Sequence, residues 1–263
     1  MRRTLEELPE SLDETYERIL REIKKPNRDH AHRLMQCLVV ASRPLGVEEL
    51  AEVLAVDYDD AEGIPRLNLS WRWEDEEQAL LSSCSSLIGI VWANNSRVMQ
   101  VSHFSVKEFL TSPRLATSSR DVSRYHVDLE AAHTILAQAC IGVLLRLDDR
   151  VSKGGVGFPL ASYAARYWTW HGQFKDVSIR LRKGMEYLFD MDKPHFAAWL
   201  RLYDIDTHPI SPSTFFLFTP ISKSGATPLY YAALCGFHDL VEHLIVKDPQ
   251  DVNDIGGYYV RDL

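Results

Sequence analysis

The chain has 263 residues, enough for about two domains at roughly 150 residues each. Its composition is 46% hydrophobic and 25% charged, ordinary globular proportions that argue against wholesale disorder, a collagen helix or a coiled coil. Lysine and arginine number 29 against 37 acidic residues, so the net charge is −8, which disfavours nucleic acid and anionic membranes as partners.

The N-terminal residues lack the apolar segment of a secretory signal peptide, and no apolar stretch approaches the ~20 residues of a membrane-spanning helix. The four cysteines form no C-x-x-C motif and no cluster with histidine. They therefore predict neither a zinc site nor a disulfide scaffold. Scattered cysteines of this kind indicate a reducing compartment, which predicts a cytoplasmic protein with a nuclear one as the alternative.

The first predicted element is a helix that begins at a capping box formed by Ser11 and Glu14. Apolar residues follow at helical spacing as far as Ile23, and Pro26 ends the helix. Further helices are predicted at about 29–40 and 47–54, with an irregular loop at 57–73 and a helix from 74 to about 84.

The period then changes from helical to β. We predict strands at 87–92 and 98–101, joined by a turn that contains Asn94 and Asn95, and then a helix over 103–110. Three helices, a two-stranded hairpin and a closing helix are the element order of a winged-helix domain. We place this domain at residues 28–115.

The next segment, 111–128, is polar and rich in serine, which predicts a linker. Residues 125–205 are predicted as a helical spacer with helices from Leu129, over 159–171, and at 178–190 and 194–203. Its aromatic residues are typical of a core, with a partner pocket as the alternative: Tyr163, Tyr167, Trp168 and Trp170.

Residues 222–254 are predicted to form one ankyrin repeat unit, because Thr227–Ala233 follows the T-P-L-H-x-A pattern with tyrosine in place of histidine. Thr227 caps the first helix, and Gly236 permits the turn into the second. We predict that the repeat contacts a protein partner through four residues: Tyr230, Tyr231, Phe237 and His238.

One repeat cannot bury its own face, so we expect three apolar residues of its second helix to be exposed on an uncapped side: Leu240, Leu244 and Ile245.

Several motifs in co-linear order resemble the region C-terminal to the NTPase core of fungal NACHT–ankyrin proteins, which belong to the STAND class of signalling ATPases. The motifs are Leu8–Leu20, Arg43–Ala51, Cys84–Leu87, His103–Leu110 and Tyr163–Trp168. The resemblance implies that residues 1–27 are a linker helix following an absent NTPase core. It also implies that the chain is truncated within an ankyrin array.

In STAND relatives a histidine just after the wing hairpin contacts the phosphate of bound ADP, and His103 resembles it in position. The alternative is a histidine that only caps the following helix. The chain contains no G-x-x-x-x-G-K-[ST] motif, so we expect no cofactor and no ATP hydrolysis.

A metal site is also not expected. The acidic segment with Asp57, Asp59, Asp60 and Glu62 lacks the glycine and bidentate glutamate of an EF-hand, which favours a solvated loop.

The sequence thus predicts a mainly α protein that acts as a non-catalytic protein–protein interaction and regulatory module, binding its partners through the ankyrin and helical surface. Two alternatives are a fragment of a nucleotide-switched STAND receptor and a decoy that associates with full-length relatives. A DNA-binding winged helix is a third, which the acidic residues Glu48, Glu49 and Glu52 oppose by phosphate repulsion.

Overall fold

The structure is a computed structural model, described here for residues 12–59, 62–84, 86–93, 96–148, 157–206, 226–249 and 252. The described residues divide into two compact units. The first contains the residues up to Leu54 and Trp71–Ala132, and the second contains Ala55–Ser70 and the residues from His133 onward. The predicted cap at Ser11 and the turn at Asn94 and Asn95 lie outside the described residues.

The fold is mainly helical, as predicted. The α-helices are α1 (Leu12–Glu22), α2 (Arg28–Val40), α3 (Val47–Leu54), α4 (Glu76–Cys84), α5 (Phe104–Leu110), α6 (Pro113–Thr117), α7 (Arg120–Ser123), α8 (Leu129–Leu144), α9 (Ala161–Gly172), α10 (Val177–Leu188), α11 (His195–Leu202), α12 (Pro228–Leu234) and α13 (His238–Lys247). The strands are β1 (Leu45–Gly46), β2 (Val56–Asp57), β3 (Arg66–Leu67), β4 (Ile88–Ala93) and β5 (Ser96–Val101).

The first unit is built on α1–α4 and a three-stranded antiparallel sheet. The strand order is β1-β5-β4, and Val91 of β4 pairs with Val98 of β5. The predicted hairpin is therefore confirmed, whereas β1 was not predicted. Leu45 of β1 pairs with Met99 across more than fifty residues of chain, and a two-residue strand has no periodicity that sequence can reveal.

The segment predicted as a polar linker is ordered, so that prediction was wrong. Ser112 caps α6 by accepting a hydrogen bond from the Leu115 backbone N–H, and Pro113 occupies the first turn. Leu115, Val122 and Tyr125 are fully buried. A few buried apolar side chains therefore hold two short helices in a segment that is polar on average.

The second unit contains the two-stranded antiparallel sheet β2–β3 in the segment predicted as an irregular loop. Its helical core is aromatic. Trp168 of α9 and Trp199 of α11 are both fully buried with ring centroids 5.3 Å apart, and the Trp199 indole N–H donates to the Ala165 carbonyl at 2.9 Å. The core interpretation of Tyr163 and Trp168 is confirmed, while Trp170 is half exposed.

The two predicted C-terminal helices are present as α12 and α13. The Thr227 side chain caps α12, and Gly236 has a φ of +72° in the turn between the helices. The expected exposed apolar face was wrong for Leu240 and Leu244, which are buried because α13 packs against α10 and α12. Ile245 is exposed, as predicted.

Within the part of the chain that the structure describes, no helix combines the length and apolarity needed to cross a bilayer.

Candidate functional sites

The acidic residues of α3 are engaged in ion pairs. Glu49 accepts hydrogen bonds from both terminal nitrogens of Arg43, at 2.6 and 2.7 Å, and from the Gly46 backbone N–H at 2.7 Å. Glu49 is the third residue of the helix, so this last bond satisfies an N–H at the helix start that no helical carbonyl can reach. The carboxylate therefore stabilises the beginning of α3.

Arg97 on β5 joins the hairpin to the two acidic helices. Its guanidinium contacts Glu48 of α3 at 3.0 Å and Glu77 of α4 at 2.5 Å. A second arginine, Arg72, pairs with Glu52, whose side chain is 2% exposed. The three glutamates of α3 that argue against DNA binding are therefore partly neutralised by arginines of the same unit.

The two most exposed aromatic side chains described in the same unit are Trp92 and Phe104. Trp92 near the end of β4 is 75% exposed, and Phe104 at the start of α5 is 68% exposed. Large apolar side chains at such exposure are available for contacts with a partner.

His103 lies at the N-cap of α5 with extended backbone. Its Nδ1 atom accepts a hydrogen bond from the Ser105 backbone N–H at 3.3 Å and lies 2.6 Å from the Ser105 hydroxyl, which is 2.7 Å from the Tyr16 hydroxyl. Because Nδ1 is an acceptor here, the proton of the neutral ring is on Nε2. This is the geometry of the helix-capping alternative, and the nucleotide-sensor role remains a prediction.

The four residues hypothesised as partner contacts have different environments. Tyr231 and Phe237 are 1% and 3% exposed, and Phe237 stacks on Trp168 with centroids 5.3 Å apart. Tyr230 is half-buried and donates from its hydroxyl to Asp206 at 2.8 Å, whereas His238 is exposed. Burial thus removes Tyr231 and Phe237 from the accessible surface.

A buried chain of hydrogen bonds in the second unit was not predicted from the sequence. The Nδ1 atoms of His133 and His171 are 2.9 Å apart, and the Tyr163 hydroxyl lies 2.9 Å from Nε2 of His171. Phe174 stacks on the His133 ring at 4.1 Å. The two histidines are 38 residues apart on α8 and α9, so no local pattern could have revealed the pair.

Burial lowers the pKa of His133 to about 4. Burial, with a smaller contribution from His133, lowers the pKa of His171 to about 3. Both rings are therefore neutral at physiological pH, and one proton between the facing nitrogens makes the hydrogen bond.

The described residues contain no group of three or more side chains placed to bind a metal ion. Asp57, Asp59 and Glu62 lie in or beside the β2–β3 segment, while Asp60 is outside the described residues. Burial raises the pKa of the Cys37 and Cys235 thiols to about 12, which makes both poor nucleophiles.

The sequence of the segment that contains the hairpin matches one known family. The sequence profile described as the winged helix domain of GPI inositol-deacylase matches residues 16–120. Residues 16–120 form a winged-helix domain. Its wing is the β4–β5 hairpin, and the matched segment includes most of α1. Helix α4, which precedes the wing, contains no lysine or arginine.

Nearly the whole chain is similar to part of a longer protein. The chain is 30% identical over 261 residues to azaphilone pigments biosynthesis cluster protein L of Monascus ruber, an alignment that covers 95% of this chain and 53% of that protein. The chain thus spans about half the length of this curated relative. No solved structure matches the chain significantly.

Proposed function

We propose that the chain is a non-catalytic regulatory and protein-interaction module of a cytoplasmic, NACHT–ankyrin-type signalling protein. The observation that carries the proposal is the contact of Arg97 with Glu48 and Glu77. This contact fastens the wing to α3 and α4. In DNA-binding proteins, the helix that enters the groove supplies lysine or arginine side chains to the phosphates. In this chain α3 and α4 are acidic instead, and their glutamates pair with Arg97 within the domain. Such a domain is suited to contact and orient a neighbouring domain, a role that we call a structural joint.

The joint would contact an NTPase core, which can belong to the same polypeptide or to a full-length relative. The first case corresponds to a nucleotide-switched receptor and the second to a decoy. The resemblance of five co-linear motifs to NACHT–ankyrin proteins supports both. The α12–α13 pair, with its Thr227 cap and Gly236 turn, would be the ankyrin unit that extends the partner surface.

In this proposal His103 senses nucleotide. Its exposed ring keeps Nδ1 on the helix cap, so Nε2–H is the donor that remains for a phosphate oxygen. His103 can therefore cap the helix through Nδ1 and donate to a phosphate through Nε2 at the same time.

The test reconstitutes the chain with the NTPase core of a fungal NACHT–ankyrin protein, fused or in trans, and follows the release of fluorescent ADP. We expect the chain to slow release and the variant His103→Asn to restore it. Asparagine is a strong N-cap residue, so this variant removes the imidazole while keeping the cap. If the wild-type chain leaves the rate of ADP release unchanged, the proposed contact with the NTPase core is refuted.

A second assay addresses catalysis by the chain alone. We expect no ATP turnover above background, and turnover that scales with chain concentration would contradict the non-catalytic assignment.

A further inference from the structure

The second unit contains a cavity of about 250 Å³ that the proposed function does not use. Strand β3 and the residues before it form one wall, the C-terminal end of α8 another, and α10 and α11 the rest. The volume lies just below the range typical of ligand pockets, so an occupant has to be small. The apolar part of the lining includes Pro65, Leu67 and Leu145.

Two glycines allow the segments around this cavity to approach each other closely. A Cβ atom on Gly142 would lie 3.3 Å from the Pro65 carbonyl oxygen, and one on Gly184 would lie 3.4 Å from the Pro65 ring. Lys183 donates to the Glu62 carbonyl at 2.9 Å and fastens the same loop to α10. The cavity is therefore bounded by closely packed backbone, which preforms it.

Arg146 gives the lining a positive charge, and the Tyr187 hydroxyl can donate a hydrogen bond. The lining also includes His195, and it contains no aspartate or glutamate although the whole chain has a net charge of −8. Arg66 also lines the cavity, but its guanidinium is paired with Glu62. The local charge is thus opposite in sign to that of the chain.

Arg146 and His195 are both oriented by backbone carbonyls. Nε of Arg146 donates to the Leu67 carbonyl at 3.0 Å, and Nδ1 of His195 donates to the Leu147 carbonyl at 2.9 Å. The His195 ring stacks on Tyr187 with centroids 5.8 Å apart. These bonds leave the two terminal NH₂ groups of Arg146 as donors for a ligand, and a guanidinium suits a carboxylate. Nε2 of His195 is the acceptor nitrogen of the neutral ring, so it does not bind the carboxylate.

We infer that this cavity binds a small carboxylate with an apolar body. The carboxylate would lie on the Arg146 guanidinium, and the body would pack on Pro65, Leu67 and Leu145. The inference is independent of the proposed regulatory function, because it concerns one preformed cavity within one unit.

The experiment titrates the full chain with phenylacetate and, in parallel, with its neutral isostere phenylacetamide, and follows binding by calorimetry and ligand-observed NMR. We expect saturable phenylacetate binding that is about tenfold tighter than phenylacetamide binding, since a charged hydrogen-bonded pair is roughly twice as strong as a neutral one. No saturable binding of phenylacetate, or equal affinity for acid and amide, overturns the inference.

Two variants place the ligand. Arg146→Met keeps the aliphatic stem and should weaken phenylacetate about tenfold, and phenylacetamide by clearly less, because the amide carbonyl loses only a weaker hydrogen bond. Arg120→Met, on α7 of the first unit, is the matched control and should bind like wild type. Leu145→Trp fills the cavity from a half-buried position and should abolish binding of both compounds. Wild-type affinity for phenylacetate in either cavity variant overturns the assignment.

Discussion

His133 and His171 face each other through their Nδ1 atoms at 2.9 Å inside the second unit. Only one proton fits between two such nitrogens, so a second protonation would oppose two N–H groups in a buried space. The Tyr163 hydroxyl already occupies Nε2 of His171, and the aromatic rings around the pair offer no counter-charge. The pair is therefore stable only in its neutral form.

This pair predicts acid sensitivity. The unfolded chain takes up protons near pH 6.5, whereas the folded pKa values are about 4 for His133 and 3 for His171. The stability of the neutral pair is thus fully present above pH 6.5 and is lost as the pH falls towards 4. Between pH 7.5 and 5 we expect up to about 2 kcal/mol of lost unfolding free energy per histidine.

Urea unfolding at several pH values measures this effect. The variant His171→Gln removes one titrating group while keeping a donor and an acceptor, and its pH dependence should be shallower than that of wild type. Identical slopes for the two proteins would show that the pair does not control acid stability.

The aromatic core of the second unit predicts a large effect of truncation. Trp199 is fully buried and hydrogen-bonded to Ala165, so Trp199→Ala should lower the free energy of unfolding by about 3–5 kcal/mol. Trp92→Ala is the matched control, because that side chain is 75% exposed and its loss should leave stability within about 0.5 kcal/mol of wild type. Comparable losses in the two variants would contradict this packing.

The ion pairs of the winged-helix domain should differ in their contributions. Glu52 is nearly fully buried, so Arg72→Met leaves its charge less compensated and should cost about 2 kcal/mol. Arg97→Met removes contacts that are exposed to solvent, and its effect on stability should be smaller. Thermal unfolding of both variants at moderate salt gives the comparison, and a larger loss for Arg97→Met would reverse it.

Backbone conformation predicts a contrast between two glycines. Gly236 has a φ of +72° and open space around its Cβ position, so Gly236→Ala should cost about 1 kcal/mol through strain alone. Gly89 on β4 also has open space but no positive φ, and Gly89→Ala should be neutral or slightly stabilising. Chemical denaturation of the two variants tests the contrast, and equal effects would exclude it.

The acidic α3 and α4 predict that the chain does not bind DNA. We expect no electrophoretic shift of a random duplex at low salt, where phosphate contacts are strongest. Tight, salt-sensitive binding would overturn the structural-joint role of the winged helix.

Helices were the most predictable part of the fold. The predicted helix at 29–40 is observed as Arg28–Val40, and the one at 47–54 has the predicted bounds. Each depends on apolar spacing within one segment and on local caps. The β2–β3 sheet and the helices α6 and α7 were missed because short elements owe their structure to burial against other segments rather than to their own periodicity.

The sites divide in the same way. Sequence by itself determined the mainly α class, the wing hairpin and the helical pair around Gly236, because caps, turns and periodicity are properties of neighbouring residues. Only the tertiary structure decided that Tyr231 and Phe237 are buried, that His133 meets His171, and that Arg146 lines a cavity. Those facts depend on contacts between residues distant in the chain, for which packing supplies the free energy and a single sequence contains no local signal.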